Sequence, residues 1–278
     1  MAPTHALFDV ELRSMRRVRA ERLGFADFLH MEAVTIIKER LEEVNKTFNA
    51  TLVVSGQPKL WQKEFPNADV IPDHDALSPK GTYDLAIHGL CAHSANDPVG
   101  QFVQLRHALK PDGLMLAVMF GGQTLHELRA SLAEAEAAVR GGLSPRVAPM
   151  GEIRDLGGLI GRAGLALPVA DNIVLNVTYD TPFHLMRDLR AMAETNVMTA
   201  QERGFMRRDM LARAVEIYAK SYGLPDGRIK ATFELVFLTG WAPSDTQQKP
   251  LQPGSAKTRL ADALGTTERP AGQKPGQD

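Results

Sequence analysis

The chain has 278 residues, 44% hydrophobic and 23% charged, with a formal net charge of −1; that suits one α/β domain with insertions or two small domains, and excludes a global attraction to nucleic acid or acidic lipid. A single cysteine, Cys91, excludes an internal disulfide and fits a reducing compartment. No apolar run approaches the roughly 20 residues of a membrane span.

The opening MAPTHALFDVELRSMRRVRAERLG is arginine-rich but carries Asp9, Glu11 and Glu21 and leads into no apolar core. It is not expected to be a signal or transit peptide, so the expected location is cytoplasmic, with peripheral membrane association left open. Over 31–48, Val34, Ile37, Leu41, Val44 and Phe48 fall on one helical stripe. TLVVSG (51–56) reads as a buried strand ending at a glycine turn, and QPKLWQKEF holds about two helical turns before ADVIPD. YDLAIHGL (83–90) is a second buried strand, 97–109 a helix, KPDG a turn and LMLAVMF (114–120) a third apolar strand. Thr124 and Glu127 have the spacing of a capping box for the next helix, which Gly141 and Gly142 end. A helix over 150–163 stops at Gly164, a residue suited to a left-handed cap. Alternating strands and helices to this point predict a parallel sheet covered on both faces.

The pattern then changes. Segments 172–179 and 231–241 alternate in the manner of half-exposed strands and are expected to pair antiparallel, with two amphipathic helices, 182–194 and 206–221, between them. The expected organisation is a helical segment over 1–48, a main domain over 49–242 with a helical insertion at 180–228, and a flexible tail over 243–278 with a short helix near 257–264.

Several residues invite a functional reading. His88, Cys91 and His93 form an H-x2-C-x-H run that matches no common zinc pattern, so no metal site is expected. Cys91 reads as a buried thiol in preference to a nucleophile. Gly121 and Gly122 suit either a ligand at a strand tip or a tight turn. Arg203, Arg207, Arg208 and Arg213 suit a solvated helical face more readily than a grip on an acidic partner, and Met186 and Met192 suit core.

YDLAIHGLCAHSANDP and ALKPDGLMLAVMFGGQTLHELRASLAEAE resemble strands four and five of a class I S-adenosylmethionine (SAM) methyltransferase family, the one that includes the mitochondrial complex I assembly factor and its bacterial relatives. The resemblance continues through GGLSPRVAPMGEIRDLGGLIGRAGLALPVAD, MRDLRAMAETN and FELVFLTGWAPSDTQQKPLQPGSAKTRLADALG, begins at FDVELRSMRRVRA, and so covers most of residues 8–265. Malonyl-carrier-protein methyltransferases are more distantly similar. The resemblance implies an α/β, Rossmann-like class I fold, a mostly parallel sheet with a C-terminal antiparallel strand pair. It implies SAM as cofactor, an NADH dehydrogenase subunit as protein partner, and a cofactor wall from Ser55, Gly56, Asp73, His74, His88, Gly89 and Leu90. It names no catalytic residue.

Against that family the cofactor site is eroded. The glycine-rich turn after strand one is VVSGQPKLW, in which Pro58 lacks an N–H to donate. Ser94 stands where the family has tryptophan, while His93 keeps its position. Sixteen residues separate Gly56 from Asp73; with helices averaging about 11–12 residues and strands about 5–6, they hold one helix and one strand, where the family has two of each. Alignment makes Asp73 the adenine-side acid, whereas spacing makes it the ribose acid. The expected function is a complex I assembly factor with a weakened or lost SAM site. An active SAM methyltransferase and an arginine hydroxylase of the assembly-factor type are the alternatives.

Overall fold

A computed structural model describes residues 6–202, 204–247 and 265. Arg203 and the short helix expected near 257–264 lie outside the described residues. Two helices come first, α1 (Val10–Leu23) and α2 (Phe28–Glu43), then β1 (Thr51–Ser55), α3 (Pro58–Glu64) and β2 (Asp69–Ile71). Next are β3 (Tyr83–Gly89), a 3-10 turn (Ala92–Ser94), α4 (Pro98–Ala108), β4 (Leu109–Phe120), α5 (His126–Arg140) and α6 (Ile153–Arg162). The chain continues with β5 (Ala166–Tyr179), α7 (Pro182–Ala191), α8 (Arg208–Tyr222) and β6 (Ile229–Trp241).

The six strands form one sheet in the order β2-β1-β3-β4-β6-β5. Pairings from β2 to β4 are parallel, and β6 runs antiparallel to both β4 and β5. Side-chain alternation sorts the apolar residues onto two faces. On β4, Leu114, Leu116, Val118 and Phe120 join the core under α2, α5 and α8, while Met115, Ala117 and Met119 join the one under α4 and α6. The interval 57–72 holds one helix and one strand, as its length requires. Gly164 takes the left-handed conformation (φ 74°), and α7 and α8 occupy the expected insertion. The described residues up to 243 make one compact unit.

Two local expectations fail. Residues 110–113 are not a turn: β4 runs on from Leu109, with Asp112 at φ 60° and a register shift opposite Tyr83 and Leu85. The capping box does not form either, because α5 starts at His126 behind a left-handed Leu125. Thr124 instead exchanges hydrogen bonds with the backbone of Glu234 (3.2 and 3.0 Å), and Glu127 accepts from the Thr232 N–H (3.1 Å) and hydroxyl. The neighbouring β6 backbone has outcompeted the local cap. Among the described residues, no helix is long and apolar enough to cross a membrane.

Candidate functional site

In a sheet of this kind ligands bind beyond the carboxyl ends of the parallel strands, which is where the predicted site residues lie. Ser55 ends β1; its buried hydroxyl donates to the Gly89 carbonyl (3.1 Å) and accepts from the Gln57 N–H (3.1 Å), knitting β1 to β3. Asp73 follows β2, the strand beside β1, and its side chain is 2% exposed. Leu90, just past β3, is buried in the left-handed conformation (φ 51°).

What meets these residues is the chain itself. The helix α1 is capped by the Asp9 carboxylate, which accepts from the Leu12 N–H (3.0 Å). Its leading segment is strapped down by Phe8, which exchanges two hydrogen bonds with the Asn96 side chain (2.9 and 3.0 Å), and by the Asp9 N–H on the Val197 carbonyl (2.8 Å). Arg13 and Arg17, four residues apart, share the inward face. The Arg17 guanidinium donates two bonds to Asp73 (2.6 and 2.8 Å), while Arg13 donates to the Ser94 carbonyl (2.5 Å) and stands 3.9 Å from Asp73. Burial pushes the Asp73 carboxyl up, but the Arg17 hydrogen bonds and the Arg17 and Arg13 charges outweigh it and hold the group below its usual range. Arg17 is raised in return.

The two strand-tip glycines are filled as well. A Cβ on Gly56 would stand 2.3 Å from the Arg17 guanidinium, and one on Gly89 would stand 2.5 Å from the Trp61 indole. Trp61 is fully buried, stacks on Phe65 and donates its indole N–H to His30 Nδ1 (3.2 Å). Burial lowers His30 to about 4, so the ring is neutral and can accept. The space left among Arg13, Arg17, Gly56, Gln57 and Glu194 is about 20 Å³, room for a single water. A nucleoside does not fit among these side chains as they stand.

His88 belongs to a satisfied core network. Gln101 donates to the carbonyls of His74 (2.9 Å) and Asp73 (3.3 Å), so its oxygen accepts from His88 Nε2 (3.0 Å). That tautomer leaves Nδ1 to accept from the Cys91 thiol at 3.5 Å. Burial takes His88 to about 4 and raises Cys91 well above its ordinary value, which makes Cys91 a protonated structural thiol. The structure therefore brings together Ser55, Gly56, Asp73, Gly89 and Leu90, with His88 linked through Gln101. The His74 side chain is exposed and only its carbonyl takes part. Gly121 packs where a Cβ would strike Glu234 and Val236, and Gly122 where it would strike Glu152, as a tight turn requires. Arg207 pairs with Asp209 and Arg213 with Glu216 on exposed surface.

Sequence reasoning missed Arg13, Arg17 and Trp61 as parts of this site. The available signal was the i, i+4 spacing of two arginines inside FDVELRSMRRVRA.

A second cavity of about 240 Å³ opens beside the first, under α5 and α7. Leu125, Leu128, Leu132, Met150, Met186 and Leu189 line its apolar wall, and His93, Glu194 and Thr195 stand among its polar residues. His93 Nε2 lies 3.1 Å from the Glu194 carboxylate, and its ring leans on Phe120, centroids 4.6 Å apart. Burial pushes Glu194 up, but His93 more than offsets this and holds it below its ordinary value.

A parallel sheet closed by an antiparallel pair, with its site at the strand tips, defines a protein of the Rossmann-like class I methyltransferase fold. The chain belongs to the NDUFAF5 family, the complex I assembly-factor family. It is 36% identical over 222 residues to the zebrafish (Danio rerio) protein named "Arginine-hydroxylase NDUFAF5, mitochondrial", covering 80% of this chain and 69% of that one. It is 35% identical to its Rattus norvegicus counterpart over 80% of this chain and 64% of that one, so it spans about two thirds of the length of these relatives. A malonyl-[acyl-carrier protein] O-methyltransferase of Halorhodospira halophila is 31% identical over 63% of this chain and 58% of that one. No protein-family model matches. Among solved structures, the YcgJ protein of Bacillus subtilis superposes with a TM-score of 0.48 at 10% identity, over 77% of this chain and 99% of that one.

Proposed function

We propose that the chain acts in assembly of respiratory NADH dehydrogenase by binding a protein subunit, and that its SAM site has been given over to its own helix α1. The observation that carries this reading is Arg17, which takes both oxygens of Asp73 and fills the slot over Gly56, while Trp61 fills the slot over Gly89. An acid already bound by a guanidinium is lost to a ribose, and a filled glycine slot bars close approach of a ligand to the backbone. Family membership supplies the assembly role. The insertion at 180–228, which exposes Phe183 and Phe205, and the tail after Trp241 are the proposed subunit-binding parts. We place the protein in the cytoplasm, with the free, buried Cys91 as support.

Calorimetric titration of the full chain with SAM tests the closed site. Each unmade buried hydrogen bond costs about 1–3 kcal/mol, so the loss of two or three weakens binding about a hundredfold or more, well beyond the micromolar range. A tight isotherm that Asp73→Ala abolishes overturns the reading in favour of an active methyltransferase. Replacing 180–228 by a short linker should block NADH dehydrogenase assembly in cells; intact assembly overturns the partner reading. Arginine hydroxylation, the activity in the relatives' names, is the second reading, favoured by the 35–36% identity. One added oxygen on an arginine of a co-expressed subunit, seen by mass spectrometry, is its test.

A further inference from the structure

The two edges of the sheet are built differently. β2, at one end of the strand order, is three residues long and starts at a charge, Asp69. Shortness and charge are usual means of keeping an open edge from pairing with another chain. β5, at the other end, is 14 residues long and contains no lysine, arginine or glutamate. Its two-residue charge count reduces to Asp171 alone, which accepts from the guanidinium of Arg40 on α2. Pro168, the left-handed Leu167 (φ 50°) and the register shift before Val169 guard only the start of the strand. From there the pairing with β6 is unbroken over 169–179, and the outer flank of that stretch meets no strand among the described residues. Val169 and Val174 are 55% and 48% exposed. A long, regular edge with apolar residues and no free charge is a template for one more strand.

The strand fits a second copy of itself. Val174 is the midpoint of 169–179, and on its two sides stand Ile173 and Leu175, then Asn172 and Asn176. A two-fold axis through Val174 sets the whole regular stretch against its copy, with Val174 opposite Val174, Ile173 opposite Leu175, Asn172 opposite Asn176 and Ala170 opposite Thr178. Directly opposite side chains lie on one face of an antiparallel pair, so apolar meets apolar and amide meets amide. The Asn172 amide N–H already donates to Glu234, which leaves its oxygen for the amide of the copy's Asn176. Asp171 falls opposite Val177, whereas a parallel, in-register pairing would set it beside its own copy. Gly157 of α6 packs against Ala170, and this register lays that end of one strand against Thr178, where the other is exposed. We propose that β5 pairs antiparallel with β5 of a second copy about a two-fold axis at Val174, joining the two sheets. Over this length the ladder supplies about ten main-chain hydrogen bonds, as many as a standard protein interface carries. The pairing uses up both long edges and leaves only the short β2 strands outermost, so the assembly closes at two copies.

Light scattering of the full chain during gel filtration, at micromolar concentration, should give twice the chain mass of 30.4 kDa. Val174→Lys sets two like charges face to face at the axis and should weaken the dimer about tenfold or more. Val174→Thr keeps a β-branched side chain and should leave it intact. Disulfide trapping reads the register. On mild oxidation Val174→Cys should cross-link to itself, because opposite Cα atoms of an antiparallel pair stand about 4.5–5.5 Å apart, within reach of a disulfide. Asn172→Cys and Asn176→Cys should link to each other when mixed, and neither to itself. The native Cys91 is buried and takes no part. If Val174→Lys does not fold, the cysteine variants decide. A monomer at every concentration, which would leave the edge to an unlike partner, overturns the proposal. So does a dimer that Val174→Lys leaves unchanged, self-linking of Asn172→Cys, or no linkage in the mixture.

Discussion

One edge of one sheet is built in two opposite ways. At the tips of β1 and β3 the slots over Gly56 and Gly89 are filled by Arg17 and Trp61, and Asp73 accepts two hydrogen bonds from Arg17. A few residues away, beneath α5 and α7, a cavity of about 240 Å³ persists. Natural interiors are close-packed and their buried polar groups paired. By that measure the first region is packed in the manner of core, and the second is not. The contrast locates the proposed change of function in the cofactor half of the edge alone.

The sharpest test of the closed half is Asp73→Ala, which leaves Arg17 and the buried Arg13 without their acid. Removing one partner of a buried pair costs about 3–5 kcal/mol, and chemical denaturation should show that loss. If the variant is nearly neutral, the pair is not a structural plug. Trp61→Ala should cost a comparable 3–5 kcal/mol, because the residue is sealed. Leu128→Ala, beside an existing void, should cost only about 2 kcal/mol or less, since fewer contacts are lost. Equal costs would erase the distinction between the two regions.

Acid sharpens the same comparison. His30 and His88 support the closed half and have folded values near 4 against an ordinary 6.5. Between those values the unfolded chain binds more protons, so stability falls as pH drops from about 6.5 to 4, by on the order of 3 kcal/mol per pH unit at the steepest. Asp73 contributes in a lower window. Its depressed carboxyl stabilises the fold above its ordinary 3.8, and that contribution is lost as pH falls through the folded value. His88→Gln should roughly halve the slope above pH 4, and an unchanged slope would locate the proton uptake elsewhere. The smallest effect belongs to the exposed pair on α8: Arg213→Ala should move stability by no more than about 0.5 kcal/mol.

The sequence by itself determined the order of elements, the two alternating C-terminal strands and the shortened interval after β1. Continuous and alternating apolar runs, and a count of residues, are local quantities, and they survive folding. It also located the turn after β1 that departs from the glycine-rich pattern, because missing glycines are visible without coordinates. Only the tertiary structure decided which side chains meet at the strand tips. Arg17 lies 56 residues from Asp73 and Trp61 lies 28 from Gly89, and no periodicity links residues that meet only when α1 and α3 close over the strand tips. The capping box failed for the same reason. Thr124 and Glu127 had a local partner within reach, but β6, more than a hundred residues on, offered backbone groups at better geometry. His93 was noticed as a family position, yet its surroundings are Glu194 and a cavity whose walls come from six separate stretches of chain. Burial and pairing across such distances are properties of the packed molecule, and they decide whether a polar side chain is core or site.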